Sequence, residues 1–327
     1  GPILGGGKVG AVARDGEGGF VLATSSFVYG AMIHRGEDLT TWEMVEAPPR
    51  YAEDSGRKMK EVWTFAAGEG VLYAGVDEAG LFRSTDAGRS WSEVEGLSNH
   101  PSRDTWFPGF GGLCAHHVLT AGDRVWTGIS AVGVFETTDG GATWDTRNEG
   151  VPVLIEDEHH KDIGTCVHAL VAHPDDPDRI WRQDHVGMFR TSDGGKHWEP
   201  IQEGLPSTFG FPLVRDRASG ALFSVPFDSD EKRYPQGGHL RVYRSLDDGD
   251  SWRPNEAGLP DDSFHVVLRQ AMACDQLGER REGAEGGVYL GNAGGEVFAS
   301  RDLGRTWQRL PGSLPRVLCV EAFVDED

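Results

Sequence analysis

Lysine is nearly missing from this chain: only 6 of its 31 basic residues are lysine. We take that as a coding or salt-habitat bias that marks no site. Positive charge as a whole is short, with 52 acidic residues and a net charge of −21. That balance argues against a nucleic-acid partner, whose phosphates call for Lys/Arg stripes, and against an anionic membrane surface. No run approaches the roughly 18 consecutive apolar residues of a membrane span, and no basic-then-apolar leader opens the chain. The start, Gly1-Pro2 without methionine, reads as a protease scar, so a native leader could have been cut away. Cysteine is scarce too. Cys114, Cys166, Cys274 and Cys319 show no C-x-x-C spacing and are few for a secreted disulfide framework, so the expectation is a cytoplasmic protein with reduced thiols.

What the chain has is a repeat. Ser84-Thr-Asp86-Ala-Gly88-Arg-Ser-Trp91 recurs as Thr137–Trp144, Thr191–Trp198, Ser245–Trp252 and Ser300–Trp307. The tryptophans at 91, 144, 198, 252 and 307 stand 53, 54, 54 and 55 residues apart, and a degraded copy ends at Trp42. A period near fifty suits a propeller blade of four short strands. In each copy the Asp carboxylate can accept hydrogen bonds from its own turn. The glycine two places on tolerates a left-handed backbone, and the Trp starts the next strand.

The pattern S/T-x-D-x-G-x-S/T-W resembles the Asp-box, or BNR repeat, of sialidases, sortilin-type receptors, xyloglucanases and a photosystem II assembly factor. The resemblance covers nearly the whole chain and implies a β-propeller. It says little about activity, because function is grafted onto a shared scaffold.

Laid over one another, the repeats predict an all-β fold: a single closed propeller domain over 1–327, with six or seven four-stranded antiparallel blades. The motif turns join third to fourth strands. Second strands include Val71-Leu-Tyr-Ala-Gly75 and Val125-Trp-Thr-Gly128; innermost strands include Val62–Phe65, Cys114–Val118, Cys166–Leu170, Phe211–Val214 and Leu268–Met272. Residues 317–322 fit two places, closing the first blade instead of Lys8–Ala13 or starting a partial seventh blade.

The longest loops, at 98–113, 152–165, 228–239 and 260–266, should open opposite the motif turns, so the functional site is expected there, at the channel mouth. Cys114/His116 and Cys166/His168 start two inner strands at matched positions, with Glu61 and Trp63 one blade earlier and Arg269 later. The turn Asp184-His185 and the loop residues His100, Arg103 and Trp106 should ring the same opening. The loop Glu156-Asp-Glu158-His159-His160 adds acid and imidazole, though such a run is ordinarily a solvated surface. We expect His116, His168 and Glu61 as catalytic groups, with Arg269, Trp106, Arg103, Trp63 and Asp184 binding substrate. A divalent metal ion would be held by His116, His168 and His185, with a carboxylate such as Glu61 or Glu321. Imidazole and carboxylate ligands suit Zn, Fe, Cu or Mn.

The activity expected is that of a hydrolase or lyase on a small polar, anionic or glycan-like substrate; the alternative is a non-catalytic binding or assembly module. A true sialidase is not expected. Sialidases carry an Arg-Ile-Pro-like segment near the start, where this chain has Gly1-Pro2-Ile3-Leu4. Tyr73, Tyr243 and Tyr289 sit mid-strand and read as core rather than as a nucleophile. A xyloglucanase architecture needs two propellers.

Overall fold

A computed structural model describes all residues except 1–3, 5–6, 27, 110, 155–161, 256, 278–284 and 325–327. The fold is a six-bladed β-propeller, six four-stranded sheets each built in chain order. The first three are β1–β4 (Lys8–Arg14, Phe20–Ser26, Gly30–Gly36, Glu43–Met44), β5–β8 (Glu61–Gly68, Val71–Asp77, Gly80–Ser84, Ser92–Glu93) and β9–β12 (Ala115–Ala121, Arg124–Ile129, Gly133–Thr137, Asp145–Thr146). The others are β13–β16 (Val167–Ala172, Ile180–Asp184, Gly187–Thr191, Glu199–Pro200), β17–β20 (Gly210–Arg215, Leu222–Pro226, Val242–Ser245, Arg253–Asn255) and β21–β24 (Met272–Cys274, Val288–Gly291, Val297–Ser300, Gln308–Arg309).

The chain forms two compact units, Gly1–Asn148 with Val153–Val167, and Glu149–Pro152 with His168–Asp327. Each has its own apolar clusters. In the first, Tyr73, Leu81, Val118, Phe135 and Trp144 pack together; in the second, Trp181, Ile201, Leu222 and Trp252 form one cluster and Phe211, Phe223, Val242 and Phe298 belong to another. Strand position explains strand composition. The second strands β14 and β18 are buried along their whole length, so both faces need apolar or internally paired side chains. The outermost strands β4, β16 and β24 are two exposed residues each.

The repeated turns are held by their own side chains. Asp139 accepts from the Thr143 backbone N–H at 2.9 Å and from the Thr143 hydroxyl at 2.7 Å. The leading hydroxyl works both ways: Thr137 donates to Asp139 at 2.8 Å and accepts from the Gly141 N–H at 3.0 Å. Ser84, Ser245 and Ser300 repeat the arrangement. The degraded first copy keeps part of it, since Asp38 still accepts from the backbone of Thr40 and Thr41. Two consecutive residues of each full turn are left-handed. Gly88, Gly141, Gly195, Gly249 and Gly304 follow Ala87, Gly140, Gly194, Asp248 and Leu303, and all have positive φ.

Two strand assignments change. The inner strand of the sixth sheet begins at Met272, so Arg269 belongs to the segment entering it. Residues 317–320 neither close the first sheet nor start a seventh. They run beside that entering segment, with a parallel bridge from Gln270 to Cys319 and the Val320 N–H on the Gln270 carbonyl at 2.7 Å.

Candidate functional site

In the second unit, β13 carries His168, 1% exposed. Its Nδ1 lies 2.6 Å from the Gly210 carbonyl oxygen. A carbonyl can only accept, so Nδ1 carries the proton and the tautomer is fixed, with Nε2 as the basic nitrogen. Strand periodicity puts Phe209 and Phe211 on one side of the chain, and both rings meet His168 edge-on, at centroid distances of 5.4 and 4.9 Å. The His185 ring completes the group, 5.6 Å from His168 and 4.9 Å from Phe209.

His185 is delivered by the tight turn between β14 and β15, in which Asp184 pairs with Gly187. That turn is pinned from inside. Arg182 and Asp184 form an ion pair with both side chains fully buried. The Gln183 amide donates to the carbonyls of Asp184, Gly187 and Thr208 at 2.7–3.2 Å. A buried pair of this kind contributes little net stability but makes its geometry hard to change, because either charge alone is costly. His185 is half-buried, with Nε2 3.3 Å from an Asp230 carboxylate oxygen. Two guanidiniums cover the aromatic floor: Arg269 lies 4.3 Å above the Phe211 ring, and Arg233 lies 5.8 Å from the centroids of both Phe209 and Phe211.

Glu321 follows Val320, whose N–H is bound to the residue after Arg269. Surrounding protein raises its carboxyl to about 7 by desolvation. More than a third of the residue is nevertheless accessible, so water moderates the shift.

Other expected groups lie in the first unit, in three settings. Glu61 is ion-paired with Lys8 at 2.7 Å. His116 is fully buried, packs against Trp63 at 4.7 Å, and has Nδ1 3.3 Å from the Val167 carbonyl. Arg103 stacks on Trp106 at 4.5 Å and donates to the Ala79 carbonyl. Trp106 itself is only 8% exposed and lies on Phe135 in the core. The expected open aromatic platform is therefore a packing residue, because its loop folds back on β11. A cavity of about 590 Å³ beside it is lined by Glu95, Asn99, His100, Thr143 and Trp144. His100 there packs on Phe135 at 5.0 Å, and burial lowers its pKa.

Among the described residues, one group of three His, Cys, Asp or Glu side chains brings its ligand atoms within 4.8 Å of one another: Cys166, His168 and His185. Cys166 stands two places before His168, just ahead of β13. His116 does not belong to that group. The run 156–160 lies outside the described residues. Phe209, Phe211, Asp230 and Arg233 went unnamed as site residues. The one signal for them was the aromatic pair at the start of an inner strand, beside a long loop.

No protein-family model and no curated protein matches the chain in sequence. Solved structures match its fold. YCF48 bound to a D1 peptide is 17% identical, with 93% of this chain and 82% of that one covered at a TM-score of 0.59. The GH74 enzyme of Niastella koreensis is 18% identical, covering 93% of this chain and 45% of its own at a TM-score of 0.62. PorZ, a surface component of the type-IX secretion system of Porphyromonas gingivalis, is 13% identical, covering 94% and 33% at 0.56. The chain thus spans less than half of the GH74 enzyme and a third of PorZ. At these identities the likeness is one of fold, and the fold is shared by enzymes and by proteins of binding and assembly.

Proposed function

We propose that the protein is a hydrolase or lyase acting on a small anionic or carbonyl-bearing substrate in the second unit. The observation that carries this reading is the pair His168 and His185, 5.6 Å apart, on an aromatic floor covered by Arg233 and Arg269. One imidazole is locked by Gly210 and the other is half-open beside Asp230. That asymmetry gives His168 an orienting role and leaves His185 to move a proton, with the guanidiniums holding negative charge on the substrate. Glu321, with its raised carboxyl, adds a second group able to exchange a proton near neutral pH.

The test is turnover of a panel of chromogenic carboxylate esters, phosphate esters, lactones and aryl glycosides. Replacing His185 by alanine should lower turnover at least about 100-fold. The reading falls if no compound is turned over and none of the anionic ones raises the melting temperature.

A second reading is a peptide-binding module. Phe264 is 60% exposed and stands against Tyr234 at 5.4 Å, and the structurally similar YCF48 is seen with a peptide. Peptide binding lost in Phe264→Ala but kept in His185→Ala would favour it.

A further inference from the structure

We propose that the cavity of about 590 Å³ in the first unit binds a small organic ammonium ion carried on an apolar body. This goes beyond the activity proposed for the second unit and shares no residue with it. Glu95, Asn99, His100, Pro101, Thr143 and Trp144 supply most of the lining. The volume falls within the roughly 300–1,000 Å³ of small-molecule sites.

The cavity exists because one blade ends differently from its fellows. In the second unit the Trp198, Trp252 and Trp307 N–H groups donate to the carbonyls of Glu149, Glu203 and Ala257 at 2.8–2.9 Å. Each repeat turn is thereby tied to the end of the preceding blade. A left-handed glycine follows each of those carbonyls, at Gly150, Gly204 and Gly258. It sits so close that a Cβ there would strike the tryptophan carbonyl. Glu95-Gly96 repeats the Glu-Gly step of 149–150 and 203–204, but here the chain winds into a helical turn over Glu95–Ser98. The Glu95 carbonyl accepts from the Asn99 N–H at 2.8 Å instead. That turn brings His100 round to the Trp144 backbone, and the space between the turn and Trp144 stays open.

The lining selects for a cation. The His100 Nδ1 receives the Ser102 backbone N–H at 3.2 Å and lies 2.8 Å from the Ser102 hydroxyl. The ring proton therefore sits on Nε2. Burial lowers the pKa of His100, opposed by a hydrogen bond to the Trp144 backbone and by the charge of Asp145. The ring thus adds no positive charge at neutral pH. The Thr143 hydroxyl is engaged by Asp139 at 2.7 Å. What remains is Glu95, which alone of the lining residues is ionised, and the Asn99 amide. Among the described residues neither side chain makes a hydrogen bond or an ion pair. A carboxylate and an amide oxygen are acceptors suited to the N–H donors of an ammonium group. Trp144 and Pro101 offer apolar surface to the rest of the ligand. An anion would meet Glu95 with no cation in the lining to offset it.

Titration of the full chain with phenethylammonium chloride, followed by two-dimensional amide NMR, tests the proposal. The amides of Gly96, Asn99 and Thr143 should shift and saturate together. Phenylpropanoate, of similar shape and opposite charge, should move none of them. Glu95→Gln, at an exposed position, should weaken binding of the ammonium probe about fivefold, the scale of an exposed ion pair. His185→Ala should leave that binding unchanged. The proposal is overturned if phenethylammonium gives no saturating shift at these amides, if phenylpropanoate shifts them as strongly, or if Glu95→Gln binds like wild type. Turnover that depends on His185 but not on Glu95 would keep the proposed function whatever the cavity binds, and ammonium binding without turnover would do the reverse.

Discussion

Two strands of this protein begin alike and end in different chemistry. Cys114-Ala-His116 and Cys166-Val-His168 share spacing, strand position and deep burial. Each histidine approaches a backbone carbonyl through Nδ1, Val167 in one case and Gly210 in the other. Around His116 the neighbour is the indole of Trp63. Around His168 the neighbours are a second imidazole and two phenylalanines under two guanidiniums. A histidine's role is set less by its own register than by what the adjoining turn and the next inner strand bring to it.

The largest effect is expected where that turn is pinned. Asp184→Ala removes the buried carboxylate that pairs with Arg182 and should cost about 3–5 kcal/mol in chemical denaturation. The counterpart Ser130→Ala removes a hydroxyl that donates to Gly112 at 2.7 Å and should cost about 1 kcal/mol. Equal costs would show that the pair does not secure the turn.

Next comes a change in the sheet of His116 that should leave the other site alone. Gly141 has φ +91°, and a Cβ there would strike the Val94 side chain. Gly141→Ala should lower stability by about 2–4 kcal/mol, while ligand binding measured on the folded fraction stays at the wild-type value.

Exchanging the histidines sharpens the comparison directly. His168→Ala should weaken ligand binding about 100-fold, or about 2.7 kcal/mol. His116→Ala should lower the melting temperature and leave affinity unchanged. Equal losses of affinity would return His116 to a shared site.

The smallest effect concerns Glu321. Its carboxyl is raised to about 7 by desolvation, so between the ordinary carboxyl value and about 7 the folded state binds more protons than the unfolded one. Stability should therefore fall as pH rises through that window. Glu321→Gln should flatten the dependence. An unchanged pH–stability profile would show that solvent at this exposed side chain cancels the shift.

The fold was legible because five tryptophans 53–55 residues apart record one supersecondary unit. The turn chemistry is local: Asp139, Thr137 and Thr143 hydrogen-bond with one another and with their own backbone. The candidate site was legible in part. His168, His185 and Arg269 could be named from register. Asp230 and Arg233 reach the site from a loop after β18, a relation no sequence spacing encodes. Trp106 was expected to be open because a glycine-rich loop reads as exposed, whereas this one lies on Phe135, with Arg103 stacked on the indole. The tail at 317–320 pairs with the segment before β21, and its strand-like composition could not say which neighbour it would choose.

The left-handed residue ahead of each turn glycine has a consequence for sequence drift. Two copies use glycine there, Gly140 and Gly194, while three hold Ala87, Asp248 and Leu303 at φ +55°, +65° and +53°. A side chain in that conformation costs about 1–2 kcal/mol, whereas glycine loosens the unfolded chain by about 0.4–1 kcal/mol. The second penalty offsets roughly half of the first, so the net preference at this one position is small and the copies are at liberty to diverge. At the following glycine they are not. Five aligned copies within one polypeptide thus act as a small family of sequences, in which variation marks tolerance and identity marks constraint. A designer lengthening or shortening the repeat could vary the first position for solubility and should hold the second fixed.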